Sequence, residues 1–433
     1  MIQMKNKIIE FLTNKKILIL GFGREGKSAY NFIKENNIKY KSLGIADKNE
    51  IDIDNVEKHC GDNYLDSTKD YDLVIKSPGI IIKDYISDKE KEKITSLTDM
   101  FLRFCPNKIV GITGTKGKST TSSLIYHILK NNGYDVYLIG NIGVPSFNVI
   151  DKLKDETILV YELSCHQLEY VKKSPHIAIL LNVYEEHLDH YTGIDAYVRC
   201  KKNIYKYLNE NDYLIYGDIF KYIKQEEIDN LVAHKLYIDD NPLNIDISKI
   251  ETSLLGEHNK KNIITAIMAT NILGVKVEDA LSAVKTFKGL EHRLEYVGRF
   301  KNIKFYNDSI ATAQEAVINA VKSINDVDTI IIGGMDRGLD YTPLAEFLST
   351  SSVQNIILLP ATQERIKCLL EKYTQTKHIF CVKDMEEAVK MSYKVTKDNK
   401  TCLLSPAAAS YGFYLNFEKR GEHFKKLVQE YGK

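Results

Sequence analysis

The residues of this sequence best suited to chemistry are a lysine and a serine in a glycine-rich segment. Residues 111–121 read Gly-Ile-Thr-Gly-Thr-Lys-Gly-Lys-Ser-Thr-Thr and follow an apolar run. At such a turn, backbone N–H groups can approach phosphate oxygens, and the following helix N-terminus favours negative charge. Lys118 can then neutralise the outer phosphates, and Ser119 can offer its hydroxyl to Mg²⁺. Although Ile112 stands where the first glycine of G-x-x-x-x-G-K-[ST] belongs, the segment predicts a nucleotide-phosphate loop.

Candidate metal ligands follow two other apolar runs. Glu162 comes directly after the run at 157–161, and His187 lies in a polar stretch after the run at 176–181. A carboxylate at a strand end can hold Mg²⁺. Taken alone, however, such a glutamate is as often structural, and such a histidine is more often a surface or packing residue.

A second glycine-rich turn lies near the start of the chain. Residues 21–26 read Gly-Phe-Gly-Arg-Glu-Gly after the apolar run at 16–20, and Asp47 follows about twenty residues later. This G-x-G-x-x-G pattern is typical of a dinucleotide-binding turn, with the acidic residue on a ribose. The motif alone is weak, and no second oxidoreductase feature accompanies it.

The elements that must position these residues alternate between short apolar strands and helical stretches. This alternation predicts α/β domains with largely parallel sheets. Further strands are predicted at 72–76, 329–332, 355–359 and 402–404, with another around Phe305. Because 433 residues are too many for one core, the length predicts two or three domains. The strands and helical stretches fall into three segments, so we expect domains at 1–105, 106–293 and 294–433.

Composition excludes several other classes of protein. The net charge of +1 argues against a surface built on bulk charge for nucleic acid or membranes. No apolar run approaches the roughly 20 residues of a membrane span, and residues 1–13 resemble a short amphipathic helix rather than a signal peptide. The seven cysteines lack C-x-x-C spacing, so we expect reduced thiols and a cytoplasmic protein without membrane insertion.

The tighter form of the phosphate loop, residues 114–120, resembles the ATP loop of the Mur ligase and folylpolyglutamate synthetase superfamily, and the resemblance extends along nearly the whole chain. It implies a Rossmann-like N-terminal domain, a central P-loop-type mononucleotide-binding domain and a Rossmann-like C-terminal domain. The ATP contacts that the resemblance implies are Gly114, Thr115, Lys116, Gly117, Lys118, Ser119, Thr120, Asn262, Arg293 and Asp308.

The resemblance also implies catalytic and metal-binding residues. It places Lys118, Glu162, His187 and Lys201 in catalytic roles, and it implies two Mg²⁺ sites held by Ser119, Glu162, His187 and Lys201. In this family the lysine is carbamylated by CO₂, which turns a cation into an anion. Taken alone, Lys201 would be a solvated lysine on a charged helix, and the adjacent Lys202 leaves the assignment open by one residue.

The substrates implied are a UDP-linked muramoyl peptide and glutamate. The block from Leu404 to Gly421 resembles that of the family members that add glutamate. By resemblance, the UDP-substrate contacts are Gly23, Asp47, Ser77, Gly79 and Asn141. The glutamate contacts are Thr312, Arg337, Ser410 and Phe417.

The resemblance therefore implies an ATP-dependent ligase, expected to be monomeric, that joins D-glutamate to UDP-N-acetylmuramoyl-L-alanine through an acyl phosphate in peptidoglycan precursor synthesis. Ile310 stands where family members commonly have a lysine in the glutamate site, and Arg337 replaces a second lysine with a different donor geometry. An L-glutamate-adding ligase and a folylpolyglutamate-synthetase-like ligase remain alternatives. A non-catalytic nucleotide-binding regulator would be expected to lack Glu162, His187 or Lys201, and all three are present.

Overall fold

Three β-sheets organise the computed structural model. The structure describes residues 2–82, 87–186, 191, 193–246, 250, 252, 254 and 256–433, and only the backbone at residues 2, 88 and 89. The fold is mixed α/β with largely parallel sheets, as the alternation of strands and helices predicts. His187, predicted as a metal ligand, lies outside the described residues.

The first sheet is parallel, with strand order β3-β2-β1-β4-β5. Its strands are β1 (Lys16–Leu20), β2 (Ser42–Asp47), β3 (Glu57–Cys60), β4 (Leu73–Lys76) and β5 (Ile94–Thr95). In β1, Ile17 and Ile19 pack into one apolar cluster, whereas Leu18 and Leu20 pack into another. The strand is therefore a continuous apolar run because both of its faces are buried.

The second sheet is also parallel, with strand order β11-β10-β9-β6-β8-β7. Its strands are β6 (Ile109–Thr113), β7 (Val136–Gly140), β8 (Ile158–Glu162), β9 (Ile177–Asn182), β10 (Tyr213–Asp218) and β11 (His234–Tyr237). The strands predicted at 157–161 and 176–181 are confirmed, each displaced by one residue.

The third sheet has strand order β12-β13-β17-β14-β15-β16, with an antiparallel β12–β13 pair and parallel pairing elsewhere. Its strands are β12 (Glu295–Phe300), β13 (Ile303–Asn307), β14 (Val327–Gly334), β15 (Asn355–Ala361), β16 (His378–Cys381) and β17 (Thr401–Leu404).

Helices connect and cover these strands. They are α1 (Ile2–Leu12), α2 (Arg24–Glu35), α3 (Asp88–Lys91), α4 (Leu97–Phe104), α5 (Lys118–Asn131), α6 (Cys165–Leu168), α7 (Ile194–Lys202), α8 (Gln225–Asp229), α9 (Glu257–Ile272), α10 (Val277–Thr286), α11 (Gln314–Ser323), α12 (Thr342–Thr350), α13 (Gln363–Tyr373), α14 (Met385–Val395) and α15 (Phe417–Tyr431). Within the described ranges, none is long and apolar enough to cross a membrane.

The chain forms two compact units. One comprises Met1–Ile250 and Lys260–Val284, and the other comprises Glu251–Asn259 and Lys285–Lys433. The first two sheets belong to the first unit, and the third sheet belongs to the second. The division into domains at about residues 105 and 293 stays a prediction, because sheets and compact units need not coincide with domains.

Candidate active site

Several of the predicted nucleotide-binding and metal-binding residues lie at one edge of the second sheet. β6 lies between β8 and β9, and all three strands run in the same direction. Their carboxyl ends therefore bring together the phosphate loop, Glu162 and Asn182, which come from distant parts of the sequence. The edge at the carboxyl ends of parallel strands is the usual ligand site of open α/β sheets.

The phosphate loop turns sharply into α5. Gly117 has a φ of 87° and precedes the helix, and a Cβ at this residue would lie 2.6 Å from Asn262 Oδ1. The same Asn262 oxygen accepts a hydrogen bond of 3.2 Å from Thr121 Oγ1. Asn262, predicted as an ATP contact, therefore lies against the loop and its helix.

The lysines of the loop are held in different ways. Lys118 Nζ donates to the carbonyls of Gly114, at 2.9 Å, and Thr115, at 3.0 Å. Burial lowers the pKa of Lys118. Lys116 is exposed; its N–H donates to Asn182 Oδ1 at 2.8 Å, and its ammonium pairs with Glu186 at 2.7 Å. Lys118 is thus directed into the loop, where phosphate oxygens would lie.

Glu162 is fully buried at the end of β8 and is only partly satisfied. Its Oε1 accepts a hydrogen bond of 2.9 Å from Asn141 Nδ2. Its Oε2 is shielded from solvent and has no hydrogen-bond partner among the described residues. A buried carboxylate oxygen left open is costly unless a cation or a donor binds it.

Lys201 is also buried, with 1% of its surface exposed. Burial, and secondarily the nearby Lys118 ammonium, lower the pKa of Lys201 to about 7. Its Nζ lies 4.8 Å from the centre of the Tyr197 ring, and the Tyr197 hydroxyl is 2.9 Å from Thr115 Oγ1. Lys202, the alternative candidate, is instead part-exposed and pairs with Glu227. The burial of Lys201 separates the two adjacent lysines, as the sequence alone does not.

These residues fit Mg²⁺ bound with few protein ligands. Among the residues that the structure describes, no group of three or more His, Cys, Asp or Glu side chains could hold a metal ion. Mg²⁺ does not require such a cage, because it commonly keeps several waters and binds one or two carboxylates together with substrate phosphates. The open Glu162 Oε2 and the Ser119 hydroxyl match that donor set.

A cavity of about 610 Å³ lies within the first unit. The predicted site residues that line it are Gly23, Asp47, Ser77, Gly79, Lys118, Asn141 and Lys201. Asp47 Oδ2 accepts the Phe22 N–H at 2.7 Å, and Ser77 Oγ donates to the Gly21 carbonyl at 2.7 Å. Asp47 and Ser77 therefore shape the glycine-rich turn as well as facing the cavity.

Sequence reasoning missed several residues that line the same cavity, including Arg24, Glu25, Gln167 and Tyr197. Gln167 Nε2 donates to Glu25 Oε1 at 2.9 Å, and burial raises the pKa of Glu25. Arg24 and Glu25 lie inside the glycine fingerprint, and Tyr197 lies one helical turn before Lys201. Their positions beside recognised residues were the only sequence signal for them.

In the second unit, the glutamate-site candidates lie in loops after adjacent strands. β17 pairs with both β13 and β14 in parallel, so the segments that follow these strands share one edge. Thr312 follows β13, Arg337 follows β14, and Ser410 follows β17. The N–H of Met335 donates to the carbonyl of Ala409 at 2.9 Å, which joins the second and third of these segments.

Asp308 and Phe417 are tied to the same edge. Asp308 accepts hydrogen bonds from Ser405 Oγ, at 2.8 Å, and from the Leu294 N–H, at 3.2 Å. Burial raises the pKa of Asp308 to about 7. The Phe417 ring packs edge-on against His292 at 6.1 Å, just before Arg293. The cap of α15 is Asn416, whose side chain accepts the Lys419 N–H.

Two family models match parts of this chain. The Mur ligase middle domain matches residues 112–233, and the Mur ligase, glutamate ligase domain, matches residues 292–408. UDP-N-acetylmuramoylalanine–D-glutamate ligase of Clostridium kluyveri is 32% identical to this chain, over 97% of this chain and 98% of its own length. The protein of the same name from Clostridium botulinum is also 32% identical, over 98% of each chain.

Solved structures agree on the fold. The UDP-N-acetylmuramate-alanine ligase of Thermotoga maritima aligns with a TM-score of 0.59 and 16% identity, over 96% of this chain and 100% of that chain. A MurF ligase from Thermotoga maritima, in complex with ADP, aligns with a TM-score of 0.55 and 16% identity, over 98% of this chain and 97% of that chain. The sequence matches and the shared fold together identify the chain as a member of the Mur ligase family, the ATP-dependent amide-forming ligases.

Proposed function

We propose that this enzyme joins D-glutamate to UDP-N-acetylmuramoyl-L-alanine at the cost of ATP, in cytoplasmic peptidoglycan precursor synthesis. The observation that carries the proposal is the 32% identity, over 97% of the chain, to enzymes named for this reaction. The cavity of the first unit supports it, because it is lined both by the glycine-rich turn at Gly21–Gly26 and by Lys118 of the phosphate loop. One cavity can thus receive a nucleotide-linked substrate beside ATP.

The first step is attack of the substrate carboxylate on the γ-phosphorus of ATP. The new C–O–P bond forms an acyl phosphate, and the bond to ADP breaks. Lys118 neutralises charge on the phosphates, as fixed cations do in phosphoryl transfer. Asn141 holds Glu162 through its 2.9 Å hydrogen bond. Mg²⁺ held by Glu162 Oε2 and Ser119 would supply further positive charge at the phosphates.

The second step is attack of the glutamate amine on the acyl carbon. The amine loses a proton, the amide bond forms and inorganic phosphate leaves. We assign Thr312, Arg337, Ser410 and Phe417 to the binding of glutamate, with Asn262, Arg293 and Asp308 on the nucleotide. Arg337 can bind a carboxylate through two parallel N–H donors, which a lysine cannot do.

Lys201 is proposed to act as a carbamate. Its neutral amine would add to CO₂, forming an N–C bond and releasing one proton, which leaves an anionic carbamate on the buried side chain. Burial supports this assignment, because the pKa of Lys201 falls to about 7 and much of the amine is therefore unprotonated at neutral pH. A second Mg²⁺ near His187 and Lys201 remains part of this proposal.

L-Glutamate is the alternative amino acid, and Ile310 is the observation that favours considering it. Ile310 is half-buried, and its N–H donates to the His292 carbonyl at 3.1 Å. An isoleucine cannot pair with a carboxylate, so the common lysine contact is lost. One of the two carboxylates of the bound glutamate can therefore lie in a different position from the one it has in family members with the lysine.

The test is phosphate release by the purified enzyme with ATP, Mg²⁺ and UDP-N-acetylmuramoyl-L-alanine, adding D-glutamate or L-glutamate in parallel. We expect turnover with D-glutamate and formation of the UDP-linked dipeptide by mass spectrometry. Turnover with L-glutamate alone would show that the enzyme adds L-glutamate instead of D-glutamate. Absence of turnover with both would reject the substrate assignment and favour a sister ligase, for which a folate with a γ-carboxylate is the next substrate to test.

A further inference from the structure

One face of α15 carries a buried arginine between apolar neighbours. Phe417, Arg420, Gly421 and Phe424 are spaced at i, i+3, i+4 and i+7, so they share a helix face. Arg420 is 1% exposed. A Cβ at Gly421 would lie 2.2 Å from His292 Nδ1, so the glycine lets this face approach the segment before β12 closely. The guanidinium thereby lies beside the loops that follow β13 and β17 and beside the end of β14.

Arg420 joins two of these loops through all three of its nitrogens. Nε donates to Ser309 Oγ at 3.0 Å, and Nη2 donates to the Ser309 carbonyl at 2.8 Å. Nη1 donates to the Ala408 carbonyl at 3.0 Å. Ser309 Oγ in turn donates to the Phe417 carbonyl at 2.8 Å, which closes the network onto α15.

Each anchor lies within three residues of a residue assigned to glutamate binding. Ser309 precedes Ile310 and is three residues from Thr312, and Ala408 is two residues from Ser410. The guanidinium also lies close to the end of β14, because a Cβ at Gly334 would lie 3.2 Å from Arg420 Nη1. Displacement of Arg420 would therefore shift the segments that carry Thr312 and Ser410.

The charge of Arg420 is compensated by carbonyl groups rather than by a carboxylate. Among the described residues, it makes no ion pair. Burial lowers the pKa of Arg420 to about 10, which leaves the side chain protonated at neutral pH. A buried cation without an anion is costly, and an acidic ligand in the adjacent loops would recover part of that cost. The neighbouring Ile310 contributes no charge of its own.

We propose that Arg420 is a positioning residue for the amino-acid substrate, which sets the loops at Ser309–Thr312 and Ala408–Ser410 and supplies positive potential for an acidic amino acid where Ile310 supplies none. This inference rests on the proposed function. A merely structural arginine would affect folding and all substrates alike, whereas a positioning residue affects the amino acid selectively.

The experiment compares the steady-state kinetics of wild type, Arg420→Met and Arg420→Lys, varying each of the three substrates in turn. Arg299→Met is the matched control, because Arg299 is exposed on β12 and bonds only to Asn399 in the described residues. We expect Arg420→Met to lose on the order of 100-fold in kcat/KM for glutamate, the scale of a misplacement of about 1 Å. KM for ATP and for the UDP-linked substrate should stay within about twofold. Arg420→Lys should be intermediate, since it keeps the charge and loses the fork.

Equal losses for all three substrates, or an unchanged KM for glutamate in a folded Arg420→Met enzyme, would overturn the inference. If circular dichroism shows that Arg420→Met does not fold, Ser309→Ala decides, because it removes only the Oγ contacts. A selective rise in KM for glutamate supports the inference, and an unchanged KM overturns it. If wild type uses a neutral amino acid instead, the proposed function fails, and the charge role of Arg420 fails with it. The positioning role is then judged on the KM for that amino acid.

Discussion

At the scale of single residues, burial distinguishes two adjacent lysines. Lys201 is 1% exposed and lies against the Tyr197 ring beside the phosphate loop, whereas Lys202 reaches Glu227 at the surface. The two side chains follow each other on α7 and so point in different directions. This pair allows a matched test of the carbamate proposal.

We expect Lys201→Ala to lose on the order of 100-fold in kcat, because the substitution removes a buried group beside the predicted phosphate loop. Lys202→Ala should retain most activity. For wild type, activity should fall after removal of CO₂ and return on addition of bicarbonate. Mass spectrometry of the intact protein detects the carbamate, and the phosphate-release assay measures the activity of each variant. Full activity of Lys201→Ala, with or without bicarbonate, would reject the assignment.

Glu162 should show opposed effects on activity and stability. Glu162→Gln keeps an oxygen that can accept the Asn141 hydrogen bond. It also removes a buried carboxylate whose Oε2 has no hydrogen-bond partner among the described residues. We expect kcat to fall by about 100-fold, while stability rises or stays within about 1 kcal/mol of wild type. Urea unfolding and the phosphate assay measure the two quantities. A loss of several kcal/mol in stability would indicate that Glu162 is a structural residue.

Asp308 should make stability depend on pH. Burial raises its pKa to about 7, from about 3.9 in an unfolded chain. The folded state thus holds the proton more tightly, so this contribution to stability is complete below about pH 4 and is lost as the pH rises through about 7. Relative to wild type, Asp308→Asn should therefore gain roughly 1–3 kcal/mol between pH 5 and pH 8.

Urea unfolding at pH 5 and pH 8 tests this gain. The control is Asp326→Asn, because Lys304 and Thr401 lower the pKa of Asp326 against the effect of its burial. That carboxylate is ionised in both states throughout the range, so its replacement should have the same effect at both pH values. An equal effect of Asp308→Asn at pH 5 and pH 8 would contradict the role of burial.

At the scale of secondary-structure elements, parallel pairing gathers the sites. β6, β8 and β9 are neighbours, and so are β13, β17 and β14. Residues far apart in sequence therefore meet at one edge of each sheet. The glycine-rich turn between β1 and α2 offers a test of how closely a ligand approaches such an edge.

Two glycines of this turn should respond differently to alanine. A Cβ at Gly26 would lie 2.1 Å from the Gly21 carbonyl oxygen, whereas a Cβ at Gly23 would meet nothing within 4 Å. We expect Gly26→Ala to cost about 1–3 kcal/mol or more. Gly23→Ala should change stability by less than about 0.5 kcal/mol but raise KM for the UDP-linked substrate, because Gly23 lines the cavity. An unchanged KM would remove Gly23 from the binding site.

At the scale of the whole molecule, ligand binding should distinguish a UDP-linked substrate from NAD. A ligand at 100 times its Kd stabilises the native state by about 2.7 kcal/mol. UDP-N-acetylmuramoyl-L-alanine and ADP should each raise the melting temperature, and NAD should not. Differential scanning fluorimetry measures the shift. A shift with NAD and none with the UDP-linked substrate would indicate that the glycine-rich turn binds a dinucleotide and not UDP.

The sequence by itself determined the features that are encoded locally. Apolar runs followed by glycines predicted the strands and turns, because strand burial and tight turns demand those residue types over a few positions. The phosphate loop and the family resemblance were recognisable for the same reason. Even so, the roles of Asn262 and Ser410 could be named only by resemblance.

The tertiary structure decided what depends on contacts between distant segments. The burial of Lys201, the Asn141–Glu162 hydrogen bond and the cavity that joins Gly23 to Lys118 all require the packing of elements far apart in the chain. Arg420 reads as one more charged residue of an amphipathic helix, yet it is buried and joins Ser309 to Ala408. Desolvation and long-range hydrogen bonding set the chemistry of these groups, and neither is encoded in a local pattern of residues.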